Sequence, residues 1–208
     1  MTAPLPQPAF YYVSGDPALD LVNTVDWTSR GPEEDRLTSY EQLTRWAEGA
    51  GVLAPAEGRR LRRLAAERPR AAALAVEYAR HTRATLQELF GTLARGESPG
   101  AGLQRFNQLL AEAMARLELA PGVGSRGAAG YRWHWRGQEQ DPRGVMWPVI
   151  WAAANLLKSD ELSQVRVCDG DDCGWMYVDR SRNGLRRWCQ MRTCGTREKS
   201  RRRRAGPL

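Results

Sequence analysis

All four cysteines of the 208-residue chain fall in its last 41 positions, as two matched pairs. The first is Cys168-Asp-Gly-Asp-Asp-Cys173 and the second Cys189-Gln-Met-Arg-Thr-Cys194, with fifteen residues between them. Two Cys-x4-Cys pairs at this separation supply four thiolates to one tetrahedral zinc ion. Each pair would turn around the metal, and the stretch between them would form a hairpin that brings the pairs together. The competing readings are two disulfides or four ordinary thiols. The matched spacing and the lack of any other cysteine weigh against both. So does the expected location. Met1 to Pro8 has neither the basic nor the apolar segment of a secretion signal, so an intracellular, cytoplasmic protein is expected, and there thiols bind metal more readily than they pair. Four thiolates close the shell, so the zinc is expected to be structural, without the open position a catalytic zinc keeps.

The chain is long enough for one sizeable domain and a small appendage. Its charge is divided unevenly. Between Arg180 and Arg204 stand ten arginines and Lys199 against Glu198 alone, while the remainder has 20 basic and 23 acidic residues. A mildly acidic body with a strongly basic end is the layout of a protein that grips a polyanion. Arginine itself carries little information, because Lys158 and Lys199 are the only lysines; position carries more. The candidate nucleic-acid contacts are Arg180, Arg182, Arg186 and Arg187 between the pairs and Arg192 inside the second pair. Arg197, Lys199, Arg201, Arg202, Arg203 and Arg204 follow the last ligand. Arg166, Arg187 and Arg192 are near enough in sequence to help hold the thiolates ionised. Trp175 and Trp188 flank ligands and can screen the metal–sulfur bonds from water.

Ahead of this module the pattern is helical. The first nine residues are proline-rich and read as irregular, and Phe10 to Val13 as a short strand or an extended lead-in. Asp16-Pro17 reads as an N-cap and first helical residue, with Ala18, Leu21, Val22 and Val25 on one face. Arg30 to Asp35 reads as a loop. Thr38 to Glu41 has capping-box form before Leu43 and Trp46. Pro55 opens a helix bearing Arg59, Arg60, Arg62 and Arg63, which could extend a DNA footprint but reads rather as a solvated face paired with Glu57 and Glu67. A long helix is expected over about 70–93, and another around Leu103 to Leu117. Pro121 to Gly130 is a glycine-rich turn before the alternating strand Tyr131 to Trp135, whose Trp133 and Trp135 could face a ligand cavity. Asp141-Pro142 then caps a last apolar helix. Its surroundings form the longest apolar stretch, Val145 to Leu157, too short to cross a bilayer. The fold expected is mainly α: a helical body over residues 1–160 with a small β-hairpin, and a four-cysteine module with basic tail over 161–208. Ser159 to Gln164 is the joint.

Within the module, Val165 to Cys168 and Trp175 to Val178 read as strands, and Asn183-Gly184 as a turn. The run from Cys168 through Gly174-Trp-Met-Tyr-Val-Asp-Arg-Ser-Arg-Asn-Gly-Leu-Arg-Arg-Trp188 to Cys194-Gly-Thr-Arg197 resembles the CGNR-type zinc finger of bacterial proteins. Ala18-Leu-Asp-Leu-Val-Asn-Thr24 is similar to the motif that opens the ABATE domain accompanying that finger. The resemblance implies a stress-linked transcription regulator with a zinc-ribbon-like module. It implies zinc at Cys168, Cys173, Cys189 and Cys194, DNA contact by the surrounding arginines, and signal input, such as a small-molecule effector, through the helical body. Thr196 stands where the family's tetrad has Asn, which leaves a base-specific role there open. RNA in place of DNA, and a zinc–thiolate redox switch, are the alternatives. No nucleophile–base pair or open metal site is visible, so no enzymatic activity is expected. His81 and His134 read as structural or exposed. Asp20 and Asn23, three apart on the first helix, read as a polar face or a local hydrogen bond.

Overall fold

The computed structural model describes residues 9–28, 30–123 and 129–205. The proline-rich opening up to Pro8 and the middle of the glycine-rich turn lie outside the described residues. The body is helical, as its apolar periodicity predicts: α1 (Pro17–Val22), α2 (Tyr40–Gly49), α3 (Pro55–Glu67), α4 (Pro69–Ala94), α5 (Gly100–Met114) and α6 (Trp147–Leu157). Asp16 caps α1 by accepting from Ala18 N at 2.8 Å, with Pro17 in the first helical position. Ser39 caps α2 by accepting from Gln42 N, one residue later than Thr38, where the capping box was expected. Asp141 caps a 3-10 turn, Pro142–Met146, that leads into α6.

α1 lies at the centre. Leu19 and Leu21 are fully buried, as are Leu43, Trp46, Leu86, Leu89, Phe90 and Ile150 around them. Each such side chain contributes about 1.5–3 kcal/mol by leaving water, so this short helix is held by packing far more than by propensity.

Among the described residues the body holds two two-stranded antiparallel sheets, where the sequence suggested one hairpin, and the cysteine module holds a third. The stretch read as a loop, Arg30 to Asp35, holds β2 (Gly31–Asp35), which pairs with β1 (Val25–Thr28). Val25 therefore opens a strand and does not extend the face of α1. The register is anchored from outside the hairpin. Asp35 receives both Arg83 Nη atoms at 2.8 and 2.7 Å and Leu37 N at 2.9 Å. Burial would raise this carboxyl, but the Arg83 guanidinium holds it below its ordinary range. β3 (Leu117–Val123) pairs with β4 (Ala129–Trp135), so Pro121 to Val123 belong to a strand and not to the turn. Trp135 packs on Trp147 and Trp133 on Trp151, but Trp133 is mostly exposed, and neither lines the cavities described below.

The third sheet belongs to the cysteine module: β5 (Val165–Val167) against β6 (Met176–Val178). Val165, Met176 and Val178 are buried in the same core as the body helices. The stretch Ser159 to Gln164, expected as a joint, holds a 3-10 turn, Asp160–Gln164, and leads directly into β5. α7 (Thr196–Ala205) closes the chain.

Candidate metal centre and basic surface

The hairpin β5–β6 carries the first cysteine pair at its end. Cys168 N donates to Trp175 O at 2.8 Å, and Cys173 N to Gly170 O at 3.1 Å, which folds residues 168–175 into a tight knuckle. Gly170 is required there: a Cβ would stand 2.9 Å from Cys194 Cβ and 3.0 Å from its sulfur. The second pair is built differently. A π-turn, Met191–Gly195, swings Cys194 back towards Cys189 and runs into α7. The stretch between the pairs is no strand hairpin. Its order comes from Asp179, which accepts from Ser181 N at 2.9 Å and Arg186 N at 3.0 Å. The Asn183-Gly184 turn is present, with Gly184 at φ 61° and its N–H on Ser181 O.

All four sulfurs lie within 4.8 Å of one another. Cys173 and Cys189 are 3.9 Å apart, and Cys189 and Cys194 are 3.6 Å apart. A tetrahedron with metal–sulfur bonds of about 2.3 Å has edges of about 3.8 Å, so a zinc ion fits the cluster. These separations are far beyond a disulfide bond of about 2.05 Å. Gly170 N and Cys189 N both point at Cys168 Sγ, at 3.3 and 3.2 Å, the usual support of a thiolate ligand. Trp175 is buried against the cluster, and Tyr11, Trp27 and Trp188 pack beside it. Cys173 is the one ligand that is not fully buried.

Protons cannot be shared evenly among four thiols so close. Hydrogen bonds from Cys168 and then the other two cysteines, helped by the Arg197 charge, hold Cys194 far below its ordinary range. Cys168 and its neighbours push Cys189 far above it. A divalent cation removes the conflict by taking all four as thiolates. Arg197 is the cation the structure sets beside this charge. Of the three expected in that role, Arg166 turns to Ser163 O, and Arg187 pairs with Asp169 at 2.8 Å. Arg192 is exposed.

The module is stitched to the body by groups whose role sequence reasoning did not identify. Asn23, buried at the end of α1, donates Nδ2 to Met176 O at 2.8 Å and accepts from Met176 N at 2.9 Å, so it pairs with β6 like a strand residue. Gly174 N donates to Trp27 O, Val178 N to Ser14 O, and Trp175 Nε1 to Val25 O. Asp20 accepts locally from Ser14 N. Neither Asp20 nor Asn23 is a solvated helix face. The signal available in the sequence was the polarity of Asn23 directly after the apolar pair Leu21-Val22.

The eleven basic candidates divide by their partners. Arg186 points inward: it lies 4.0 Å over the Tyr177 ring and donates to Val13 O, Trp188 O and Cys189 O. Arg180 clamps the module to the body through Glu161 and Gly15 O. Arg201 and Arg202 share Glu198, whose carboxyl they hold at about 2. Arg182, Arg192, Arg197, Lys199, Arg203 and Arg204 are exposed and have no ion pair among the described residues. Arg192, Arg197, Arg201 and Arg204 line one groove of about 590 Å³ with Thr193, Thr196 and Ser200. Thr196 Oγ1 donates to Met191 O at 3.0 Å, so it ties α7 to the π-turn.

Two of the cavities among the described residues border the body's helices and strands. One, of about 510 Å³, is an open groove walled by α2, α3 and α4 around Tyr40, Arg62, Val76 and Arg80. The other, about 280 Å³, lies where the β1–β2 hairpin meets the metal cluster, with Trp27, Glu33 and Arg36 facing Asp171, Cys173 and Arg197. No helix among the described residues is long and apolar enough to cross a membrane.

The search of curated proteins found no match. The profile of the CGNR zinc finger matches residues 164–205. That of the ABATE family, described as "putative stress-induced transcription regulator", matches residues 15–160. With four sulfurs at tetrahedral spacing inside the finger, Cys168, Cys173, Cys189 and Cys194 form a structural zinc site. The chain belongs to the ABATE family and ends in a CGNR zinc finger.

Proposed function

We propose that this protein is a DNA-binding transcription regulator, in which zinc fixes an arginine-bearing surface and the helical body supplies signal input. The observation that carries the reading is the groove along the π-turn and α7. Arg192, Arg197, Arg201 and Arg204 converge there with three hydroxyl side chains. Guanidinium groups suit phosphate oxygens bidentately, and hydroxyls add single contacts. The zinc site sits directly beneath: Thr193 and Arg197 also line the cavity that reaches the cysteines. Arg186 is a structural member of the module in this reading, and Arg180 its clamp. Zinc does no chemistry, and the role of the chain is binding and not catalysis. The junction cavity, walled by body and finger together, is where a small effector would bear on both.

Fluorescence anisotropy with a labelled duplex at several salt concentrations tests this. Four phosphate contacts give a slope of about −3 to −4 in log affinity against log salt. RNA as competitor separates the two nucleic acids, because displacement by RNA at lower concentration than by DNA would favour the RNA alternative. Failure of the zinc-loaded protein to bind at low salt would overturn the proposal.

A further inference from the structure

Ten of the body's arginines are ion-paired among the described residues. Arg45 pairs with Glu41, Arg80 with Glu77, Arg95 with Glu97, Arg105 with Glu88 and Arg143 with Asp141. The unpaired ones are scattered except on α3, where three fall within little more than one turn. Arg59, Arg60 and Arg63 are exposed and have no ion pair among the described residues. The acids expected to match them are otherwise placed. Glu57 turns back to accept from Ala54 N at 2.9 Å, and Glu67 makes no ion pair among the described residues. Arg62, the fourth arginine of the run, faces inward onto Glu48 at 2.8 Å and Thr44.

The arrangement opposes the helix's own stability. Arg59 and Arg63 are i,i+4 neighbours and Arg60 and Arg63 are i,i+3, spacings at which like charges repel. Arg70 follows three residues after the end of α3, in the first turn of α4, which has no acidic residue and where a cation opposes the helix dipole. A merely solvated face gains nothing from four unmatched cations so placed; a polyanion would relieve all four.

Resting on the DNA reading above, we infer that Arg59, Arg60, Arg63 and Arg70 form a second contact for duplex phosphates, separate from the finger. α4 sets the distance. Arg70 stands in its first turn, while Gly91, near its other end, lies where an added Cβ would touch the Met176 methyl of β6 at 3.2 Å. Twenty-one residues of helix separate them, about 30 Å. Measured along α4 to the sheet that carries the finger, this is roughly three Debye lengths at 0.1 M salt, so the patch's charges are screened from that end of the helix, and the length is close to one turn of B-DNA, about 34 Å. A duplex must be longer than this span to touch both.

The triple variant Arg59→Gln, Arg60→Gln, Arg63→Gln, with a matching thermal melt confirming its fold, is compared with the unaltered full-length zinc-loaded protein. The two duplexes are an 8-bp hairpin, about 27 Å long, and a 24-bp duplex. On the long duplex the salt slope is expected to become shallower by about 2–3, one unit or slightly less for each lost contact, and on the short one to stay unchanged. The Arg→Lys triple should retain most of the slope. An unchanged slope on the long duplex, with Arg197→Gln still lowering it, would overturn the second contact and leave the finger's role intact. No effect of either variant would overturn both. A loss of slope equal on both duplexes would also overturn it, because the patch would then not be spatially separate.

Discussion

At the scale of single residues, the finger's attachment depends on Asn23 as much as on any apolar contact. Its amide satisfies both backbone groups of Met176 in a fully buried position. Asn23→Ala leaves a buried N–H and a buried C=O without partners, each worth about 1–3 kcal/mol. Equilibrium urea unfolding is expected to show a loss of about 2–4 kcal/mol. Asn23→Asp should be no better, because a carboxylate would face the Met176 carbonyl. A loss below about 0.5 kcal/mol for the alanine variant would mean that the amide pairing contributes nothing. The contrast with the cysteines explains what the sequence could disclose. Four ligands within 27 positions declare a metal site by local spacing alone. The partner of Asn23 is 153 residues away, and no local pattern encodes that distance. The part-buried Arg83–Asp35 pair was hidden for the same reason.

At the scale of elements, the helices were legible because each buries one stripe against the core, so the 3.6-residue period is written in the apolar residues. The β1–β2 hairpin was not. Pro32, Glu33 and Glu34 are exposed, and the strand is held by Asp35 reaching Arg83 and Arg80 on α4, not by an apolar face of its own. The basic module shows the same limit. Charge counting treats its arginines alike, but the structure divides them into inward and outward sets, and two substitutions separate these. Arg186→Gln removes charge-assisted bonds to three carbonyls and the stacking on Tyr177. It is expected to lower stability by about 2–3 kcal/mol in thermal or urea unfolding. Arg197→Gln, exposed on the groove, should make the salt slope of duplex binding shallower by about one, and lower the melt by less than Arg186→Gln does, since its charge only assists the thiolates. If Arg186→Gln lowered the slope without affecting stability, the inward assignment would be wrong.

At the scale of the whole molecule, two family profiles meet between residues 160 and 164, yet the core does not divide there. Val165, Met176 and Val178 are finger residues buried among body helices. A module this small cannot hold its shape without its metal, so losing zinc should withdraw these three side chains and leave α1 and α4 uncovered where they pack. Each withdrawn side chain removes about 1.5–3 kcal/mol of burial, which for a chain of this size shifts the melting temperature by about 2–4 °C per kcal/mol. Chelation of zinc is therefore expected to lower the melt of the body itself by on the order of 10–20 °C, followed by far-UV circular dichroism, which the helices dominate. The pH dependence has a definite sign. Zinc holds the folded thiols as thiolates, below the unfolded thiol value of about 8.5. The stability it confers is thus complete above that value and is lost as the pH falls and protons compete for the sulfurs. The gap between zinc-loaded and chelated melts should narrow steadily from pH 8.5 to pH 5. A body melt that ignores chelation at every pH would show that finger and body fold independently. In that case a change at the metal could not reach the helices through the shared core.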